Sequence, residues 1–181
     1  AAAVAMCMGI GAEHIAAGIG RMKSVPGRFE ALNTHGGDYA VILDYAHTPD
    51  SLQSTLQTIR GFAKGRIVSI VGCGGNRDSR KRPIMGEITG RMADFSIITS
   101  DNPRFEKPMD IIDMIIPGVE KSGGDYIVIA IRYALEHAKK DDVILLAGKG
   151  HEDYQEIEGV KHPFDEKVIV EELLSELGRI G

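Results

Sequence analysis

Four short stretches of the sequence gather residue types that can act on a ligand together. In GCGGNRDSRKRP, Gly72 to Pro83, glycines leave room for backbone N–H groups to approach an anion, and Arg77, Arg80, Lys81 and Arg82 add positive charge. That is the chemistry of a phosphate cradle, although the spacing also suits a flexible loop with solvated charges. The stretch is neither GxGxxG nor GxxxxGKS, and Lys149 of AGKGHE lacks the upstream glycine, so the chain carries no Walker A loop. Asp101-Asn102-Pro103-Arg104 sets a carboxylate, an amide and a guanidinium around a proline that fixes a turn. Such a mixture suits a zwitterion, because arginine grips a carboxylate bidentately while Asp101 or Glu152 can meet an ammonium. The same four residues also make an Asn-Pro turn with one surface ion pair. His47 and His151 each follow an apolar run and offer a proton carrier, a phosphate donor or a metal ligand, or simply a ring bonded to a loop carbonyl. With no second ligand at a metal spacing, no metal site is expected in this chain.

These residues need elements to hold them, and the sequence alternates β-rich runs with amphipathic stretches. Strands are predicted near Tyr39 to Tyr45, Arg66 to Gly72, Asp94 to Thr99, Tyr126 to Ile129 and Asp142 to Ala147. Helices lie between them, starting near Pro49, Pro83, Pro108, Arg132 and Asp165. The first is well marked: Thr48 can cap it, Pro49 suits its first position, and Leu52, Leu56 and Ile59 share a face. Strand–helix repetition implies an α/β fold, a Rossmann-like, mostly parallel sheet of about six strands with helices on both faces. The pattern YQEIEGVKHPF, Tyr154 to Phe164, has a turn at Glu158-Gly159 and predicts a hairpin that adds one antiparallel edge strand. Ligands of such sheets bind where strands end and helices begin. All four polar stretches fall at those ends, which predicts one shared site.

Residues 1–24 carry small and apolar side chains at helical spacing, broken by Gly9, Gly11, Gly18 and Gly20. Two short helices with so few large side chains form no core alone, so they read as the tail of a preceding domain, with Lys23 to Glu30 as linker. The second unit then runs from 25 to 181. A chain of 181 residues, 43% hydrophobic and 26% charged, fits one well-buried domain plus a fragment. No apolar run approaches the roughly 20 residues of a membrane helix. A net charge of −5 without a basic cluster argues against a nucleic-acid surface. Cys7 and Cys73 form no CxxC pattern, which fits a reducing cytosol.

Taken in order, VPGRFE, DYAHTPDS, GCGGNRDSRKRP, DNPR and AGKGHEDYQ resemble the UDP-N-acetylmuramoyl-tripeptide ligases of the Mur family, over about Val25 to Leu177. The resemblance implies the C-terminal, Rossmann-like domain of an ATP-dependent ligase. It attaches meso-diaminopimelate to UDP-N-acetylmuramoyl-L-alanyl-D-glutamate in cytoplasmic peptidoglycan synthesis. ATP phosphorylates a carboxylate and the acceptor amine attacks the acyl-phosphate, with Mg2+ and the Walker lysine in a central domain outside this chain. A monomer with no nucleic-acid or membrane partner is the expected state.

Carried over by motif, Arg28, Asp44, His47 and Asn76 would contact ATP. Arg82, Asp101, Asn102, Pro103, Arg104, Gly148 and Glu152 would form the acceptor site. Asn76 stands where many relatives have aspartate, and Ile131-Arg132 where an Asp-Arg pair is common. His151 is a candidate base for the attacking amine, but a structural role suits it as well. Three other readings keep part of the pattern: a lysine-adding member of the family, a non-catalytic amino-acid-binding module, and a dinucleotide oxidoreductase. The last would need GxGxxG after the first strand, and DYAHTPDS is not that.

Overall fold

The computed structural model describes residues 1–22, 25–128 and 131–178. Its centre is a six-stranded sheet in the order β1 (Glu30–Leu32), β2 (Ala40–Asp44), β6 (Val143–Ala147), β3 (Ile67–Val71), β4 (Phe95–Ile98) and β5 (Tyr126–Val128). β1 is antiparallel to β2; every other pairing is parallel. The central strands β3 and β6 read as unbroken apolar runs, IVSIV and VILLA, because both of their faces are covered.

Alternate residues serve opposite layers. Ile42, Val71 and Leu145 pack under α3 (Pro49–Arg60), α4 (Lys81–Met92) and α5 (Pro108–Ser122). Val41, Leu43, Ile70, Ile144 and Leu146 pack under α6 (Ile131–Glu136) and α7 (Glu166–Glu176). α3 starts as its sequence predicts: Thr48 accepts from the Ser51 N–H, Ser51 reciprocates, and Pro49 occupies the first position. Its Leu52, Leu56 and Ile59 are fully buried. α4 and α5 approach closely through Gly86 and Gly118, where any side chain would collide with the facing backbone at Ile115 and Pro83. That contact fixes the first turn of α4 and the glycine loop before it.

Two expectations are corrected. The antiparallel edge strand is β1, not the hairpin. The hairpin, β7 (Tyr154–Ile157) and β8 (Val160–Pro163), does form with its turn at Glu158 and Gly159, both at positive φ, but as a separate two-stranded sheet. β8 is exposed throughout and has no apolar face to join a buried layer. β7 instead grips the DNPR turn: the Arg104 N–H donates to the Glu156 carbonyl at 2.9 Å and the Glu158 N–H to the Arg104 carbonyl at 2.7 Å. β1 escaped notice because it is three residues long and begins at Glu30, the last residue assigned to the linker. Ile129, at the end of the fourth predicted strand, and Lys23 and Ser24 of the linker lie outside the described residues.

α1 (Ala2–Cys7) and α2 (Ala12–Arg21) bury no residue. Among the described residues no helix is long and apolar enough to cross a membrane.

Candidate functional site: a charged cavity at the strand ends

Four loops leave the carboxyl ends of β2, β6, β3 and β4 side by side and enclose a cavity of about 490 Å³. Its wall takes Tyr45 and His47 from the first loop and Gly74, Arg77 and Lys81 from the second. Asp101, Asn102 and Arg104 come from the third, Gly148 and Glu152 from the fourth, and Tyr154 from the hairpin. Cations and carboxylates therefore face one small space, which can receive a ligand carrying both signs.

The carboxylate side is braced. Asn102 is only 3% exposed; its amide donates to Glu152 Oε2 at 2.8 Å, and its Oδ1 accepts the Glu156 N–H at 2.8 Å and Lys149 Nζ at 3.2 Å. The Tyr45 hydroxyl donates to the other Glu152 oxygen at 3.2 Å. Burial first, then the adjacent Glu152 charge, pushes the Tyr45 hydroxyl above its usual range, so it remains a donor. Lys149, 3% exposed, also reaches Asp101 Oδ1 at 3.4 Å. Gln155 ties the same turn from the hairpin, donating to the Asp101 carbonyl at 2.6 Å.

Arg104 sits at φ 52, in the left-handed region, held there by the two backbone bonds to the hairpin. Its guanidinium donates to the Gly75 carbonyl at 3.0 Å and pairs with Glu156 at 3.2 Å. Gly75 can lie here only because it lacks a side chain: a Cβ would collide with the Pro103 carbonyl. A ligand carboxylate meeting Arg104 would thus share it with Glu156.

Of the eleven residues carried over by motif, the structure brings His47, Asp101, Asn102, Arg104, Gly148 and Glu152 to the cavity wall and leaves five out of it. Arg82 is the clearest departure. It is 1% exposed, donates to both Glu106 oxygens at 2.8 and 2.9 Å, and reaches the Gly74 carbonyl at 3.3 Å. α4 begins at Lys81, before Pro83, and this turns Arg82 inward beneath the glycine loop. The arginine braces the loop from beneath, and its bonds pull the Glu106 carboxyl down to about 2. Pro103 is buried against Gly75 and contributes packing. Asn76, at φ 51, uses its side-chain oxygen for the Phe105 N–H at 3.0 Å and its own N–H for Glu106. Asp44 accepts the Phe29 N–H at 2.6 Å and the Thr55 hydroxyl at 3.4 Å.

Arg28 is exposed, has no carboxylate partner among the described residues, and lies over the Tyr45 ring at 4.4 Å. Arg77 is likewise exposed and has no carboxylate partner among the described residues. Lys81 donates to the His47 carbonyl at 2.7 Å. For a divalent metal the fit fails: Asp44 is occupied, and among the described residues no three His, Cys, Asp or Glu side chains converge on a point. His151 is not in the wall; its ring packs 5.2 Å from that of Tyr45. Arg132 pairs with Glu136 and Glu176. The residues that sequence reasoning missed are Tyr45, Tyr154, Gln155, Glu156, Glu106 and Lys149. Tyr45 and Lys149 stand inside quoted motifs, whereas Glu106 and Glu156 carry no local signal.

The family model described as the Mur ligase glutamate ligase domain matches residues 27–150. A UDP-N-acetylmuramoyl-L-alanyl-D-glutamate-2,6-diaminopimelate ligase of Clostridium acetobutylicum is 49% identical over 96% of this chain and 37% of its own length. That of Caldanaerobacter subterraneus is 51% identical over 84% of this chain and 33% of its own. A solved structure with the same ligase title aligns with TM-score 0.78 and 34% identity over 97% of this chain and 37% of that one. UDP-N-acetylmuramate-alanine ligase of Thermotoga maritima shares the fold, with TM-score 0.65 at 18% identity over 98% of this chain and 35% of that one. The chain spans about a third of the length of these relatives. With the DYAH segment, the glycine loop and the DNPR turn all inside the matched span, the chain belongs to the Mur ligase family.

Proposed function

We propose that the chain is the acceptor-binding domain of an ATP-dependent ligase that joins meso-diaminopimelate to UDP-N-acetylmuramoyl-L-alanyl-D-glutamate. Residues 1–24 would belong to the preceding central domain and 25–181 to this one. The observation that carries the reading is the cavity that sets Arg104 and Asn102 against Asp101 and Glu152. One end of diaminopimelate is a carboxylate and an ammonium on a single carbon, and this wall offers a partner for each. The names of the similar ligases support the same acceptor.

When bound, ATP supplies the phosphoryl group that activates the dipeptide carboxylate. This chain's residues hold the attacking partner. Glu152, held by Asn102 and Tyr45, receives the distal ammonium, and Arg104 with Asn102 receives the distal carboxylate. That grip leaves the other amino group free to point out of the cavity. Arg28 and Arg77 face solvent at the same rim, where triphosphate oxygens would arrive, and His47 and Asp44 border that side. Asn76 would act through the shape of the loop. Mg2+ would be held by residues outside this chain, in a monomeric cytoplasmic enzyme.

L-Lysine lacks the distal carboxylate, so it leaves the arginine side of the cavity without its ligand. A site that leaves a buried polar group unpaired can reject the wrong ligand by roughly 10⁴-fold. Because Glu156 already neutralises Arg104, the expected preference is smaller, about 10²- to 10³-fold in kcat/KM. Comparison of both amino acids in the full-length enzyme and in Arg104→Ala tests the assignment. Equal use of lysine by the unmutated enzyme, or an unchanged preference in the variant, would overturn it.

A further inference from the structure

We infer that Lys149 is a positioning residue of the acceptor cavity: its buried ammonium fixes which way the Asn102 carboxamide points, and through it holds Glu152 ready for a ligand's ammonium. The inference rests on the acceptor reading above and concerns a residue that binds no ligand itself.

A carboxamide presents an acceptor on one side and donors on the other, and only its surroundings decide which way round it sits. Water cannot decide here, since Asn102 is 3% exposed. On one side stand two pure donors, the Glu156 N–H at 2.8 Å and Lys149 Nζ at 3.2 Å; on the other stands a pure acceptor, Glu152 Oε2, at 2.8 Å. Turning the amide over would press its NH2 against an ammonium and an N–H, and its oxygen against a carboxylate. Lys149 is therefore the charged half of a lock on Asn102.

The lysine is itself fixed. Gly148 at φ 134 and Gly150 at φ 56 bracket it, and this backbone turns its side chain into the protein. There Asp101 Oδ1 lies 3.4 Å away and the rings of Tyr154 and Phe164 face the ammonium at 5.9 and 5.4 Å. Lys149 also offsets a crowded set of carboxylates, Asp101, Glu152, Asp165 and the buried Glu166. This second role gives the proposal its sharpest consequence. Without the lysine, the cavity becomes more negative, which penalises an acceptor bearing an extra carboxylate and not one bearing only an ammonium.

The experiment uses the full-length enzyme with Lys149→Met, Lys149→Gln, Lys149→Arg, Asn102→Ala and the double variant Lys149→Met/Asn102→Ala. Lys149→Met is expected to raise KM for meso-diaminopimelate about 10-fold while KM for ATP moves less than about 2-fold, and to cut the preference over L-lysine about 10-fold. Lys149→Arg, which keeps the charge, should recover part of both. The positioning role acts through Asn102, so the acceptor KM of the double variant should be little worse than that of Asn102→Ala alone, while the loss of preference that comes from the missing charge persists. A wild-type acceptor KM and preference in either neutral variant overturns the inference, as does full additivity with Asn102→Ala in acceptor KM. If neither neutral variant folds, Lys149 is a stability element and the inference fails equally. Whether the intact enzyme takes meso-diaminopimelate at all is read from the unmutated control, so failure of the acceptor assignment shows there and not between variants.

Discussion

The two groups of residues assigned to ligands share a rim but are built differently. Around Asn102 each side chain is held by at least one other, across loops far apart in sequence: Tyr45 to Glu152, Asn102 to Glu152, Lys149 to Asn102 and Asp101, Arg104 to Glu156. Around Arg28 the bracing is thinner: Arg28 and His47 are exposed, and Arg28 lies over the Tyr45 ring at 4.4 Å. A braced, half-buried group presents a preformed surface whose ordering cost is met on folding. An exposed, loosely held group is ordered only when something arrives to face it. On the proposed reading, the acceptor side is largely preformed within this chain and the nucleotide side is not.

The largest effect expected from this difference lies beneath the glycine loop. Glu106→Ala leaves the Arg82 guanidinium buried with its anion gone, so it should destabilise the chain by roughly 3 kcal/mol. Arg28→Ala should stay within about 0.5 kcal/mol of the parent, as exposed positions do. Urea unfolding of both variants compares the regions directly, and similar losses would erase the distinction. Acid should reproduce the first result. Glu106 titrates near 2 in the folded chain against an ordinary value of 4.5. Its contribution is full above about 4.5 and is lost as pH falls through about 2.

The next effect has the opposite sign. Glu166 is buried at the start of α7, one of its oxygens has no partner, and burial pushes its carboxyl up to about 7. An acid raised in the folded state favours folding in its protonated form, so this stability is full below about 4.5 and disappears as pH rises through about 7. Glu166→Gln should therefore gain about 1–3 kcal/mol at pH 8 and almost nothing at pH 4. Equal gains at both pH values would show that the charge is not the cause. The smallest effect belongs to α1 and α2. Removing residues 1–22 should change the unfolding free energy of the rest by less than about 0.5 kcal/mol, because neither helix buries a residue. A larger loss would mean that these helices pack on the domain.

Several features were legible because they are local. The runs IVSIV and VILLA mark strands covered on both faces, Thr48 and Pro49 mark a helix start, and Glu158-Gly159 marks a turn that needs positive φ. The rule that loops gather at the carboxyl ends of parallel strands was enough to bring DYAH, the glycine loop, DNPR and GKGHE to one rim.

What each charged side chain does there was decided only by tertiary structure. Arg82 and Arg104 are both arginines at loop ends, and nothing in their neighbours tells them apart. The Gly86–Gly118 contact sets α4 so that one is sealed against Glu106, while the hairpin holds the other at the cavity. Lys149 looked like a failed phosphate-loop lysine, and became a buried brace once β6 lay beside β3 and brought its loop against the DNPR turn. Periodicity and turn chemistry depend on neighbours in sequence, so the sequence by itself determined the five parallel strands, the start of α3 and the position of the rim. Burial, pairing and the direction of an amide depend on residues as far apart as Tyr45 and Glu152, and only the packed chain brings those together.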